Sequence, residues 1–87
     1  MHAVVVKVTI GDREAAQQRL DQDVVPQVSQ APGFQAGYWT WKDNNGLSMV
    51  IFDSEENARA GAQRVEGGVP EGVTLEGVEV REVVASA

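Results

Sequence analysis

The chain has 87 residues, with 7 Lys and Arg against 13 Asp and Glu, a formal net charge of −6 and no cysteine. That size gives one domain, and a domain so small buries only about 60–65% of its unfolded surface. The acidic balance argues against a nucleic-acid partner, no apolar run nears the roughly 20 residues of a membrane span, and disulfide and thiolate chemistry are excluded.

Met1-His2-Ala3-Val4 carries neither the basic segment nor the cleavage site of a signal peptide, so a soluble, cytoplasmic protein with no membrane partner is expected. Residues 3–10 are rich in β-branched types and read as a first strand. Val4, Val6 and Val8 give it one wholly apolar face, while Ala3, Val5, Lys7 and Thr9 give a mixed one. Gly11 ends the strand and Asp12 is placed to cap the next helix. That helix is expected from about Arg13 to Gln30, with Ala16, Leu20, Val24 and Val28 on one stripe. Pro26 removes a backbone donor inside the pattern, which predicts a kink or a break, and Pro32-Gly33 stops the helix.

Residues 34–42 and 47–53 read as two strands joined by a hairpin, its turn centred on Asn44-Asn45 or on Asn45-Gly46. Either two-residue turn puts Trp39 and Trp41 on one face with Ser48, Val50 and Phe52. Tyr38, Thr40, Leu47, Met49 and Ile51 then share the other face, and a three-residue loop would reverse the parity. Ser54 is suited to cap a second helix, with Glu55 and Glu56 at its positive end and Ala58, Gly61, Ala62 and Val65 as a small-residue face. Gly67 to Gly72 reads as a loop, and Val73 to Val84 as a last strand with room for a bulge at Gly77.

The order is βαββαβ, which predicts an α+β, ferredoxin-like fold: a four-stranded antiparallel sheet with two helices on one face. Two helices cover one face only, yet the second and third strands are apolar or aromatic on both. A second copy of the sheet is the simplest cover, which predicts a homodimer.

The Pro32-Gly33-Phe34 start of the second strand, the hairpin after it, and the junction Phe52-Asp53-Ser54-Glu55-Glu56 with Ala58 beyond resemble the dimeric α+β barrel superfamily. They are closest in pattern to its antibiotic-biosynthesis-monooxygenase-like branch. The resemblance in element order covers nearly the whole chain. It implies two sheets paired into a barrel, and a pocket within the barrel or between a sheet and its own helices. It also implies a choice of activities: metal- and flavin-free oxidation of quinol-like or polycyclic aromatics, haem degradation, isomerisation, or no assigned activity. The haem-degrading members use an Asn on the first strand, a Trp at the aromatic-x-Ser junction and a His on the second helix. Here residues 3–10 hold no Asn, the junction residue is Phe52, and the sole histidine is His2. Haem turnover is therefore not expected, and no cofactor is.

Trp39 and Trp41, two apart, project from one strand face and can form an aromatic wall for a flat ligand; equally, they can pack a dimer core. Phe52 shares their face and the same two readings. Lys7 can meet an anionic ligand, or lay its stem over apolar atoms and pair with Glu79. Tyr38 can donate a proton to an aromatic substrate or rest its hydroxyl at the surface. His2 reads as a mobile terminal residue. Asp21 with Asp23, and Asp43 with Asp53, lack His or Cys companions, so no metal site is expected. The reading is a dimer that binds a compact aromatic or apolar molecule, with a cofactor-independent monooxygenase or a purely structural or partner-binding dimer as alternatives. Phe34 and Leu20 are expected in the core.

Overall fold

Four strands, β1 (His2–Ile10), β2 (Phe34–Lys42), β3 (Asn45–Phe52) and β4 (Val73–Glu82), form one antiparallel sheet in the order β2-β3-β1-β4. The computed structural model describes residues 1–69 and 72–87, so Pro70 and Glu71 of the expected loop lie outside the described residues. With helical segments after β1 and after β3, this is the ferredoxin-like βαββαβ arrangement. Among the described residues, no helix is long and apolar enough to cross a membrane.

The most β-branched strand, β1, takes a central place, where both neighbours shield it. Ala3, Val4, Val5 and Val6 are all buried there. Register fixes the two faces. Val4, Val6 and Val8 lie opposite Val50, Ser48 and Gly46 on β3, and opposite Val80, Val78 and Leu75 on β4. Glu76 is the extra residue of a bulge beside Gly77, close to the position that Gly77 suggested.

The first helical stretch begins at α1 (Arg13–Arg19), capped by Asp12, whose carboxylate accepts from the Ala15 N–H at 3.1 Å. A π-helical turn, Leu20–Val24, follows, and α2 (Val25–Ser29) completes the stretch. The break expected from Pro26 therefore takes the form of a widened turn just before the ring. The Val25 N–H reaches back five residues to the Leu20 carbonyl, and the wider turn makes room for a proline that cannot donate to Gln22. The second helix, α3 (Glu55–Glu66), is capped by Ser54, which accepts from the Asn57 N–H at 3.2 Å.

The core lies between the sheet and α3: Val4, Val6, Val50 and Phe52 from the strands meet Ala58 and Ala62 from the helix. Gly61 lets α3 settle onto Phe52, since a Cβ at 61 would stand 2.8 Å from the Phe52 Cζ. Leu20 and Phe34, expected as core, are only half-buried: the first helical stretch does not press onto the sheet in this way at Leu20, and Phe34 packs against the core from edge strand β2. The hairpin turn is Asp43-Asn44, upstream of both expected centres. Asp43 supplies the positive φ, at 56°, and Gly46 is instead kept for the strand. The loop is still two residues long, so the expected face parity holds: Trp39 lies opposite Ser48 and Trp41 opposite Gly46.

Candidate functional site

Between the first helical stretch and the β2-β3 half of the sheet is an open cavity of about 230 Å³. Its roof is Ala16, Leu20, Val24 and Val28, the stripe read from the sequence. Trp39 and Trp41 line it from β2, Ser48, Val50 and Phe52 from β3, and Val4, Val6 and Val8 from β1. Gly61, Arg64 and Val65 of α3, with Gly68 and Val69 beyond, complete it.

Small residues in the sheet let the indoles lie close against it. A Cβ at Gly37 would stand 2.8 Å from the Trp39 ring, and one at Gly46 would stand 2.6 Å from Val8 Cγ2 and 3.3 Å from the Trp41 ring. The indoles thus fold against glycine backbone, and Ser48 between them contributes only a short side chain. Both tryptophans are half-buried, with one side packed and the other toward the cavity or solvent. Trp41 is held further by Arg13, whose guanidinium carbon stands 5.1 Å from the ring centroid. The same guanidinium donates to the Asp43 carbonyl, so the start of α1 is tied to the hairpin at this end of the cavity.

The four candidate residues are split between two faces. Trp39, Trp41 and Phe52 line the cavity together. Lys7 lies on the opposite face of the sheet, opposite Leu47 and Gly77, and is exposed, so it does not join them. Nor does it pair with Glu79, which accepts from Arg81 at 2.9 Å. Tyr38 is 65% exposed, also on that open face. His2 sits within β1, in register with Phe52 and Glu82, its Nε2 3.6 Å from a Glu55 oxygen, in place of the mobile end read from the sequence. It does not line the cavity. Asp21 accepts from Gln17 at 3.0 Å, Asp23 pairs with Arg19, and Asp53 accepts from Asn57 at 2.9 Å. Asp43 forms the hairpin turn. Among the described residues, no group of three or more His, Asp and Glu is placed to hold a metal ion.

Sequence reasoning missed Ser48, Gln27 and Arg64 as cavity residues. Arg64 carried a signal: Gly61, Arg64, Val65 and Gly68 recur at helical spacing, so an arginine shares the stripe of a small-residue face. Among the described residues, Glu55 is the group with a displaced acidity. The hydrogen bond from Arg59, and the charge of that guanidinium, hold its carboxyl below the ordinary glutamate range, with a smaller contribution from His2.

No protein-family model matches the chain, and no curated protein matches it significantly.

Proposed function

We propose that this protein binds one compact aromatic or apolar molecule in the cavity between its first helical stretch and the sheet. The carrying observation is an open, apolar-lined space flanked by two half-buried tryptophans whose neighbours are glycines and a serine. Concave, mostly apolar sites with a few polar groups are the usual form of small-molecule sites. Its polar side chains among the described residues are Gln27, Ser48, Arg64 and the two indoles, while Thr40 lies on the other face and donates its hydroxyl to the Leu47 carbonyl; there is no carboxylate, imidazole or phenol to serve as acid or base. That composition supports binding over a monooxygenase-type reaction. The test is tryptophan fluorescence during titration with 1,4-naphthoquinone. Saturable quenching, beyond that of free tryptophan, is expected, and Trp39→Leu or Trp41→Leu should weaken it while the fold persists. A linear, unsaturable response would sink the proposal.

We further propose that the working unit is a cytoplasmic homodimer of the dimeric α+β barrel type, close to the monooxygenase-like branch. The support is the open sheet face, where Tyr38, Leu47 and Met49 are 65%, 46% and 42% exposed. That face also carries Lys7 and Lys42 beside Glu79, so two copies of it offer each other opposite charges. Sedimentation at micromolar concentration should give twice the chain mass, and Leu47→Glu with Met49→Glu should halve it. A wild-type monomer would remove this part and leave the cavity proposal standing.

A further inference from the structure

The cavity also carries information about the charge of its ligand. Arg64 is the sole ionisable side chain among the described lining residues. It belongs to the last turn of α3 and is exposed, so it stands at the mouth. The other four arginines are engaged: Arg19 with Asp23, Arg59 with Glu55, Arg81 with Glu79, and Arg13 with the Trp41 ring and the Asp43 carbonyl. Arg64 has no such partner among the described residues.

Charge and size narrow the ligand further. A chain of net charge −6 repels small anions, so an anionic ligand needs a local cation at its site. Guanidinium is the side chain best matched to a carboxylate, by two parallel hydrogen bonds. A cavity of roughly 150 Å³ holds a single benzene ring, and clefts for drug-sized molecules begin near 300 Å³. At about 230 Å³ this one suits one or two fused rings.

We infer that the ligand is a one- or two-ring aromatic carboxylate, its ring beside Trp39 and Trp41 and its carboxylate on Arg64 at the mouth. This rests on the binding role proposed above for the same cavity. A purely structural role for Arg64 exists, since a cation in the last turn of a helix is favoured by the helix dipole. The two roles differ in what a substitution changes.

The experiment is calorimetric titration with 2-naphthoate and with 2-naphthamide, which has nearly the same shape and no charge. Wild type should bind the naphthoate more tightly, with a preference that shrinks as salt is added. Arg64→Gln should weaken naphthoate by about tenfold, the scale of one charge-assisted interaction, and leave naphthamide unchanged. Arg64→Lys should restore part of the preference. Thermal unfolding of each variant checks that the fold is kept. If both compounds bind and Arg64→Gln leaves their ratio unchanged, the inference fails, the structural role is left, and the binding proposal survives. If neither binds, both fail together.

Discussion

The two helices rest on the same sheet, and only one of them closes it. Under α3 the contact is close: Ala58 and Ala62 are buried, Gly61 admits the Phe52 ring, and Phe52, although it borders the cavity, is only 2% exposed. Under the first helical stretch the roof residues are larger, Leu20, Val24 and Val28, yet the sheet beneath them carries Gly46 and Ser48. Small side chains on a helix bring it down onto large ones in a sheet. Larger residues on a helix, above small ones flanked by indoles, hold it away. The π-helical turn and Pro26 fall in the first helical stretch, where few contacts oppose an irregular backbone. Both halves are apolar, so hydropathy alone does not separate a core from a site; the order of sizes across the interface does.

The largest test of that contrast is deletion. Phe52→Ala should cost about 3–5 kcal/mol, because the ring is 2% exposed and is held by α3 at Gly61, even though one side borders the cavity. Leu20→Ala should cost only about 1 kcal/mol, because Leu20 is half-buried and already borders empty space. Chemical denaturation gives both values. Equal costs would mean that the first helical stretch is packed as tightly as α3, and the contrast would be lost.

A smaller and sharper test adds atoms instead. Gly61→Ala places a carbon 2.8 Å from Phe52 Cζ, a clash of the kind that costs about 1–3 kcal/mol. Helix propensity alone would give a gain of about 1 kcal/mol for this change, so a net loss measures the strain directly. Ser48→Val adds volume on the hollow side, opposite Trp39 and Val6, and should stabilise by about 1 kcal/mol while abolishing naphthoquinone binding. The two additions should move the unfolding midpoint in opposite directions. A midpoint lowered by both would refute the hollow.

How far the sequence alone reaches follows from the same sizes. Element order, the Asp12 and Ser54 caps and the face shared by Trp39, Trp41 and Phe52 were legible, because each depends on local spacing. The two short motifs that bracket the hairpin also proved to be neighbours. The Asp53 N–H donates to the Gly33 carbonyl at 2.9 Å, and Gly33 takes a φ of +80° beside the Asp53 carboxylate. The turn position was not legible, since three residues in a row, Asp43 to Asn45, tolerate a positive φ and only the packing of Val8 and Trp41 over Gly46 decides. Lys7, which the sequence marks as able to meet an anionic ligand, is set by strand parity on the face away from Trp39, Trp41 and Phe52. The depth of Leu20 was misjudged because periodicity says which side faces inward and nothing about how close the partner comes.

The smallest effect expected concerns charge on the filled side. The start of α3 gathers His2, Glu55 and Arg59, with Arg59 hydrogen-bonded to Glu55 and His2 3.6 Å from it. Arg59 lowers the Glu55 carboxyl below its ordinary value of about 4.5, so the folded state holds the charged form more strongly than the unfolded chain does. The resulting stability is present above that ordinary value and is lost as pH falls through the lowered folded one. All three groups are at least partly solvent-exposed, and exposed pairs of this kind contribute little. NMR titration should show Glu55 below the ordinary range in the wild type, moving up in Arg59→Met and shifting less in His2→Ala. Over the same pH range, hydrogen exchange of the Phe52 and Ala62 amides should hardly change between wild type and Arg59→Met. If those amides lose protection with Arg59, the ion pair and not the fit of Gly61 to Phe52 keeps α3 down. The difference between the two halves would then be one of charge rather than of side-chain size.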